Sequence, residues 1–393
     1  MRKLLVIAVV VPLVLAAGWA YFHQRGLPFY RPLYREYAYI SNGKSNTVTV
    51  IDVTNDPVKG FTVVNTLQVG SGPTGVAANP KRNEVYVVNA GSANVSVIDA
   101  ERNKVVATIG VGGRPYFIDV SPDGHRAWVA NSGSATVSVL DLDHRTVAAT
   151  LHVGGSPGLA RVSPDGSTVV VSNRADNTVS IIDAARLAVR SAVTICIHPE
   201  DIAILPDSTK AFVSCSGSGQ VASIDLKNDK LLALLDVGKS PVSLALKPDG
   251  GELVAFNFDA GSISIIETTP NEVTGSYLVG SQPTRGVISL DNSRLYISNF
   301  GSNNVAVYDI DLGKIVAYLP VGAHPDGLAL SQNQNYLLVL DSGSGDVAVF
   351  QKRTPKKKFE PSEYSLLTII PVGMQPNQVV VKSFLLTKAA AGR

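Results

Sequence analysis

The chain has 393 residues, 45% hydrophobic and only 17% charged, which excludes wholesale disorder and supplies an ample apolar core. A formal net charge of +2 lacks the basic excess of a nucleic-acid binder, so no nucleic-acid partner is expected. Length alone suggests roughly two or three domains, but the sequence is periodic, and repeats can build one large closed unit.

The chain opens MRKLLVIAVVVPLVLAAGWAYF, a basic start followed by an unbroken apolar run from Leu4 to Phe22. A charged beginning, an apolar stretch and small residues near its end (Ala16, Ala17, Gly18, Ala20) describe a secretory signal. The run is also just long enough to span a bilayer. Residues 1–22 are therefore expected to be a signal peptide or a membrane anchor touching the membrane through residues 4–22, with a linker over 23–36. No cysteine follows LAAG, which disfavours a lipoprotein. Either way the remainder is exported, to the periplasm or the cell surface.

Three β-branched runs come next, EYAYISN, NTVTVIDV and FTVVNTLQV. After them a V-G-x-x-P anchor recurs, with prolines at Pro73, Pro115, Pro157, Pro199, Pro241, Pro283 and Pro325, each 42 residues beyond the last. An eighth anchor, VGMQP, ends at Pro376, 51 residues on, because the unit before it carries an insertion. Each unit holds four short alternating runs, such as TGVAANP, EVYVVNA, NVSVIDA and KVVATIGV, separated by turn residues. SPDG at 121–124 and 163–166 and KPDG at 247–250 supply a tight Asp-Gly turn between the first two runs. Asn89, Asn131, Asn173, Asn257 and Asn299 close the second run, where an Asn side chain is expected to bond its own turn backbone.

Four antiparallel strands in about 40 residues make a propeller blade. Seven full units run from Pro73 to Val372, preceded by three strands and followed by one, PNQVVVKSF. Three plus one completes a further blade by joining the chain ends, which removes the exposed edge that open sheets present. The expected fold is all-β, an eight-bladed β-propeller over residues 37–384 with a tail over 385–393, seven blades being the alternative. The motifs YISN, YVVN, WVAN and VVSN, followed by VxVID, VGxxP and SPDG, resemble the YVTN-repeat β-propeller proteins across nearly all of the exported chain. That resemblance implies the fold; members often have seven blades, and their motif residues are turn and core residues that imply little about activity.

In such a blade the V-G-x-x-P crossings and the turns after each Asn share one face, and the crossings converge on the central mouth. Loops on a rigid scaffold are where binding residues concentrate. Beside the anchor prolines stand Arg114 with Tyr116, His198 with Glu200, and His324 with Asp326; the two histidines are three repeats apart. These six residues are the candidate ligand site, the imidazoles being suited to acid–base work or to a metal or haem, with carboxylates to orient them. The same positions equally suit an unspecific polar rim. Early in the inner strands, Asp119 and Arg161 belong to adjacent blades and are expected to pair, while Asp201 and Arg285 lie two residues past their prolines. Phe258 and Phe300 repeat at 42 residues in the turns after Asn, with Arg174 in the same column, and are expected to pack on neighbouring turns.

In AVTICIHPEDIA the anchor glycine is Cys196, and Cys215 replaces the next Asn. A disulfide, two buried thiols, or a Cys196–His198–Cys215 metal site all fit an exported chain with two cysteines. The insertion QKRTPKKKFEPSEY carries Lys352, Arg353, Lys356, Lys357 and Lys358; this basic loop, 352–358, is either simply solvated or contacts an anionic surface. No nucleophile elbow, H-E-x-x-H, phosphate loop or metal-spaced cluster is present, so no cofactor and no metal site are implied and enzymatic activity is disfavoured. The reading is an exported binding or scaffold module whose protein or small-molecule ligand sits at the mouth. Its alternative is a cofactor-binding or accessory subunit of a periplasmic redox system, as in haem d1 and dehydrogenase propellers; hydrolysis of a lactone or ester comes third, on fold analogy alone.

Overall fold

The computed structural model describes residues 34–54, 60–352 and 364–386. The expected leader, all but the end of the linker and the basic insertion beyond Lys352 lie outside these residues. Strand β1 (Tyr34–Asn42) begins three residues ahead of the propeller's expected start, so residues 34–36 are strand rather than linker.

The described residues form thirty-two strands in eight four-stranded antiparallel sheets. Blades 2 to 8 each take four consecutive strands, from Pro73 to Pro371. Blade 1 unites β1, β2 (Thr47–Asp52) and β3 (Thr62–Gln68) with β32 (Pro376–Leu385), in the order β3-β2-β1-β32. Eight blades, not seven, complete the circle. Tyr34 stands opposite Leu385 and Ser41 opposite Gln378 across the closing pair. The innermost strands, each opening at an anchor proline, touch their neighbours all the way round, β32 filling the gap between Pro325–Leu330 and Pro73–Ala78.

Apolar side chains are sandwiched between blades, which is why the second and third runs of each unit are apolar on both faces. Tyr86, Val88 and Val95 of blade 2 pack on Ile118, Val129 and Leu140 of blade 3. The seam is built the same way, Ala38, Ile40 and Ile51 of blade 1 meeting Leu338, Leu340 and Val347 of blade 8. Outermost strands such as Lys104–Gly110 alternate between exposed and half-buried positions, matching their alternating sequence.

The recurrent Asn works differently from expectation. It is fully buried, and in five blades its amide donates across to hydroxyls of the third strand rather than to its own turn backbone, Asn299 donating instead to Val279 O and Asn304 Oδ1. Asn131 Nδ2 donates to Thr136 Oγ1 at 3.1 Å and to Ser138 Oγ at 2.9 Å. Asn42, Asn173 and Asn257 repeat this pattern. The glycine of V-G-x-x-P lies directly on that amide: a Cβ at Gly112 would sit 2.6 Å from Asn131 Nδ2. Gly and Asn are thus one packed unit, which explains why both recur together. In blade 5 both change at once, and Cys196 and Cys215 occupy the two places joined by a disulfide, with Cα atoms 5.7 Å apart.

The residue before every anchor proline is left-handed, from Arg114 at φ 47° to Gly72 at 61°. Only one of the eight is glycine, so the crossings hold a conformation that side chains ordinarily avoid. Two hydrogen bonds tie it down in blade 5: the His198 N–H donates to Asn177 Oδ1 at 2.9 Å, and its carbonyl accepts from Ser216 N at 3.1 Å.

Candidate functional site

The crossings turn the first two residues after each proline toward the axis. They enclose a cavity of about 420 Å³ at the mouth, to which all eight blades contribute a side chain. That size is typical of a small-molecule site. Its walls are aromatic at Tyr116, Phe117 and Phe258, hydroxylic at Thr74, Ser243 and Thr284, and charged at Arg161, Arg174, Arg285, Glu200, Asp201 and Asp326.

One wall is a connected polar chain. The Arg174 guanidinium lies over the Tyr116 ring, 4.5 Å from its centre, and its Nη2 and Nε reach Glu200 Oε2 at 2.7 and 2.8 Å. The other Glu200 oxygen sits 2.9 Å from His198 Nδ1 and accepts from Ser216 Oγ at 3.3 Å. Arg174 comes from the turn after Asn173, and it enters because blade 4 carries Gly158 where the other blades carry a side chain. A Cβ at Gly158 would be 2.8 Å from Arg174 Nε.

The expected Asp119–Arg161 ion pair does not form. Arg161 turns instead to Asp201, Nη2 to Oδ1 at 3.6 Å, with its guanidinium 4.7 Å from the centre of the Phe117 ring. Asp119 receives the backbone N–H of Val162 in the next blade at 3.0 Å and that of Val120 at 3.2 Å. Burial pushes its carboxyl above the usual range, against the pull of the Arg161 charge and those two N–H groups. Asp201 is used in the same manner, accepting from Leu244 N at 3.0 Å, Ser243 Oγ at 2.9 Å and Ile202 N at 2.8 Å. Strand acids on the axis therefore clamp the next blade's backbone.

Of the six residues expected at the site, Tyr116, Glu200 and Asp326 line the cavity, and His198 stands behind Glu200. Arg114 is exposed on the rim, its stem against Gly133. His324 does not engage Asp326. Its ring stacks on Phe300 at 4.4 Å and 9°, in a neighbouring groove of about 450 Å³ beside blades 8 and 1. Asp326 instead faces Arg285, Oδ1 to Nε at 3.7 Å. Phe300 packs on a neighbouring crossing as expected, whereas Phe258 reaches the cavity. Arg161, Arg174, Arg285 and Phe117 belong to the cavity and were not among the expected site residues; the glycine at 158 is the sequence signal that marks Arg174's place. Among the described residues no group of three or more His, Cys, Asp or Glu side chains is placed to hold a metal ion.

These features define the protein as an eight-bladed β-propeller with a polar and aromatic central mouth. Residues 34–249, more than half of the chain, match the model of the choice-of-anchor I domain, and the chain belongs to that family. No curated protein matches the sequence. Among solved structures, the dihydro-haem d1 dehydrogenase NirN in complex with DHE is similar at a TM-score of 0.73 and 16% identity, over 90% of this chain and 76% of that one. Hydrazine synthase of Kuenenia stuttgartiensis is similar at 0.60 and 21% identity, over 71% and 95%. A functionally unknown protein from Desulfotomaculum acetoxidans is similar at 0.59 and 16% identity, over 76% and 98%. At these identities the likeness is one of fold.

Proposed function

We propose that this chain is an exported, YVTN-repeat-type propeller that works as a binding module, taking its ligand or partner at the central mouth. The observation that carries the reading is the cavity of about 420 Å³ to which all eight blades contribute and where three arginines and three aromatic rings converge. The apolar run from Leu4 to Phe22 and the family's choice-of-anchor character support export to the periplasm or cell surface.

The cofactor-binding form of the redox-system alternative would call for a haem seat. The residues lining this mouth include no imidazole, thiol or thioether, and His198 and His324 are engaged by Glu200 and Phe300. They do not fit an axially ligated haem. Hydrolysis at Glu200 fares no better, since both of its oxygens are taken by Arg174, His198 and Ser216.

The test is a fragment library screened by ligand-observed NMR against the protein and against Thr284→Trp, which plugs the cavity. Fragments that bind the parent and not the plugged variant place the ligand site at the mouth. A library that treats both proteins alike ends the proposal.

A further inference from the structure

The donors and acceptors of the mouth are unevenly used. Its acids are largely satisfied by the protein: Asp119 by two backbone N–H groups, Asp201 by two backbone N–H groups and a hydroxyl, and Glu200 by Arg174, His198 and Ser216. Arg174 is likewise engaged, at 2.7 and 2.8 Å from Glu200. Arg161 and Arg285 are held less closely. Each makes one ion pair, at 3.6 and 3.7 Å, and among the described residues neither guanidinium makes a hydrogen bond. Their side chains keep 33% and 42% of their surface open, and both line the same cavity from blades 4 and 7.

A guanidinium carries five N–H donors in a planar fork that matches the paired oxygens of a carboxylate or phosphate. Two such forks face this cavity with no hydrogen bond from the protein, leaving their donors to water or to a ligand. The walls next to them are flat and apolar: Phe117 beneath Arg161, then Leu159 and Phe258. Thr284 and Gln378 add neutral polar groups at the edge.

We infer that the mouth recognises a small organic oxyanion, a flat apolar body bearing a carboxylate or phosphate head, whose anionic group is held by Arg161 and Arg285. This deepens the mouth-binding proposal and rests on it. Glu200 is paired with Arg174, and Asp201 spends its oxygens on three neutral donors, so its hold on Arg161 is a long one at 3.6 Å. Asp326 holds Arg285 no more closely, at 3.7 Å, so an anion that offers both guanidinium groups hydrogen bonds competes with two long ion pairs.

The experiment uses naphthoate and naphthyl phosphate as probes and methyl naphthoate as the neutral control, titrated by calorimetry into the full-length protein, Arg161→Gln, Arg285→Gln and Thr284→Trp. Both anions, or one of them, bind the parent, and each Gln substitution weakens them by about ten-fold, the loss of one charged hydrogen-bonding group. The ester binds far more weakly. A carboxylate-only result assigns the planar head, and a phosphate-only result the tetrahedral one. Ester binding equal to the acids', binding indifferent to both Gln variants, or no anion binding at all overturns the inference. Circular dichroism confirms that the Gln variants are folded, and Asp201 keeps its three hydrogen bonds without Arg161. If neutral fragments are displaced by Thr284→Trp while anions are not bound, the mouth remains the site and only the anion assignment falls. If Thr284→Trp changes nothing, the mouth itself is wrong.

Discussion

Asp341 occupies in blade 8 the place that asparagine holds in six other blades, and its partner in register is another acid, Asp346. Asp341 is fully buried, with Oδ2 accepting from Gly322 N at 3.0 Å. Burial, reinforced by the Asp346 carboxyl and opposed by the Gly322 N–H, pushes its pKa up to about 7. Its folded value thus exceeds its unfolded one, so the native state retains a proton that the unfolded chain releases. The contribution of this group to stability is greatest below about pH 4, declines as pH rises toward about 7, and is flat beyond. A rise from 3.8 to about 7 sets a ceiling of ~4 kcal/mol. Because Asp346 is only half-buried and the turn can relax, a loss of about 2 kcal/mol is expected at neutral pH and above. Asp341→Asn removes it: one amide oxygen keeps the Gly322 N–H while the amide nitrogen donates to Asp346, as Asn299 does to Asn304 at 2.9 Å. The variant should be more stable than the parent by about 2 kcal/mol at about pH 8 and nearly equal to it at about pH 4. Guanidinium denaturation at the two pH values measures this. A gain that is the same at both, or a loss at the higher one, refutes the shared-proton account.

Removing the disulfide by Cys196→Ser with Cys215→Ser opens a loop of 19-residue separation and should cost about 3 kcal/mol by the chain-entropy estimate, read from the same denaturation curves. Cys196→Gly with Cys215→Asn should recover about 1 kcal/mol of that, since it rebuilds the unit used elsewhere but finds Ala222 where five other blades offer a hydroxyl. Gly158→Val displaces Arg174 from the mouth and should lower stability by about 1–3 kcal/mol while breaking the Arg174–Glu200 pair, seen as a changed Arg174 Nε resonance by NMR. Ser156→Gly relieves a left-handed residue at φ 50° and should raise stability by about 0.5–1 kcal/mol, visible as an upward shift of the melting temperature.

The ring was legible because its signals are local and repeated. Anchor prolines, Asp-Gly turns and the closing Asn recur at a fixed spacing, and three orphan strands plus one can only pair with each other. The site was legible by column but not by contact. His198 and His324 share a column, yet the residue in the turn of the preceding blade differs, Arg174 before one and Phe300 before the other. Phe300 offers His324 a face to stack on, while Arg174, a cation in that same position, draws Glu200 and leaves His198 to follow. Asp119 and Arg161 were matched as charges, whereas strand geometry puts the Asp119 carboxylate against the Val162 N–H of the next blade and the Val120 N–H of its own strand. Cross-blade partners depend on side-chain reach, which periodicity does not encode.

The pairing of β1 with β32 brings the two ends of the described chain side by side. No blade interface at that junction can form until the last strand has left the ribosome, so the molecule spends its synthesis as an unclosed arc with two raw edges. Contacts spanning nearly the whole chain are slow to form, and open strand edges invite association with other chains. Locking the arc shut is then the final event in maturation, and the termini, rather than the mouth, decide whether the protein ever reaches its working form.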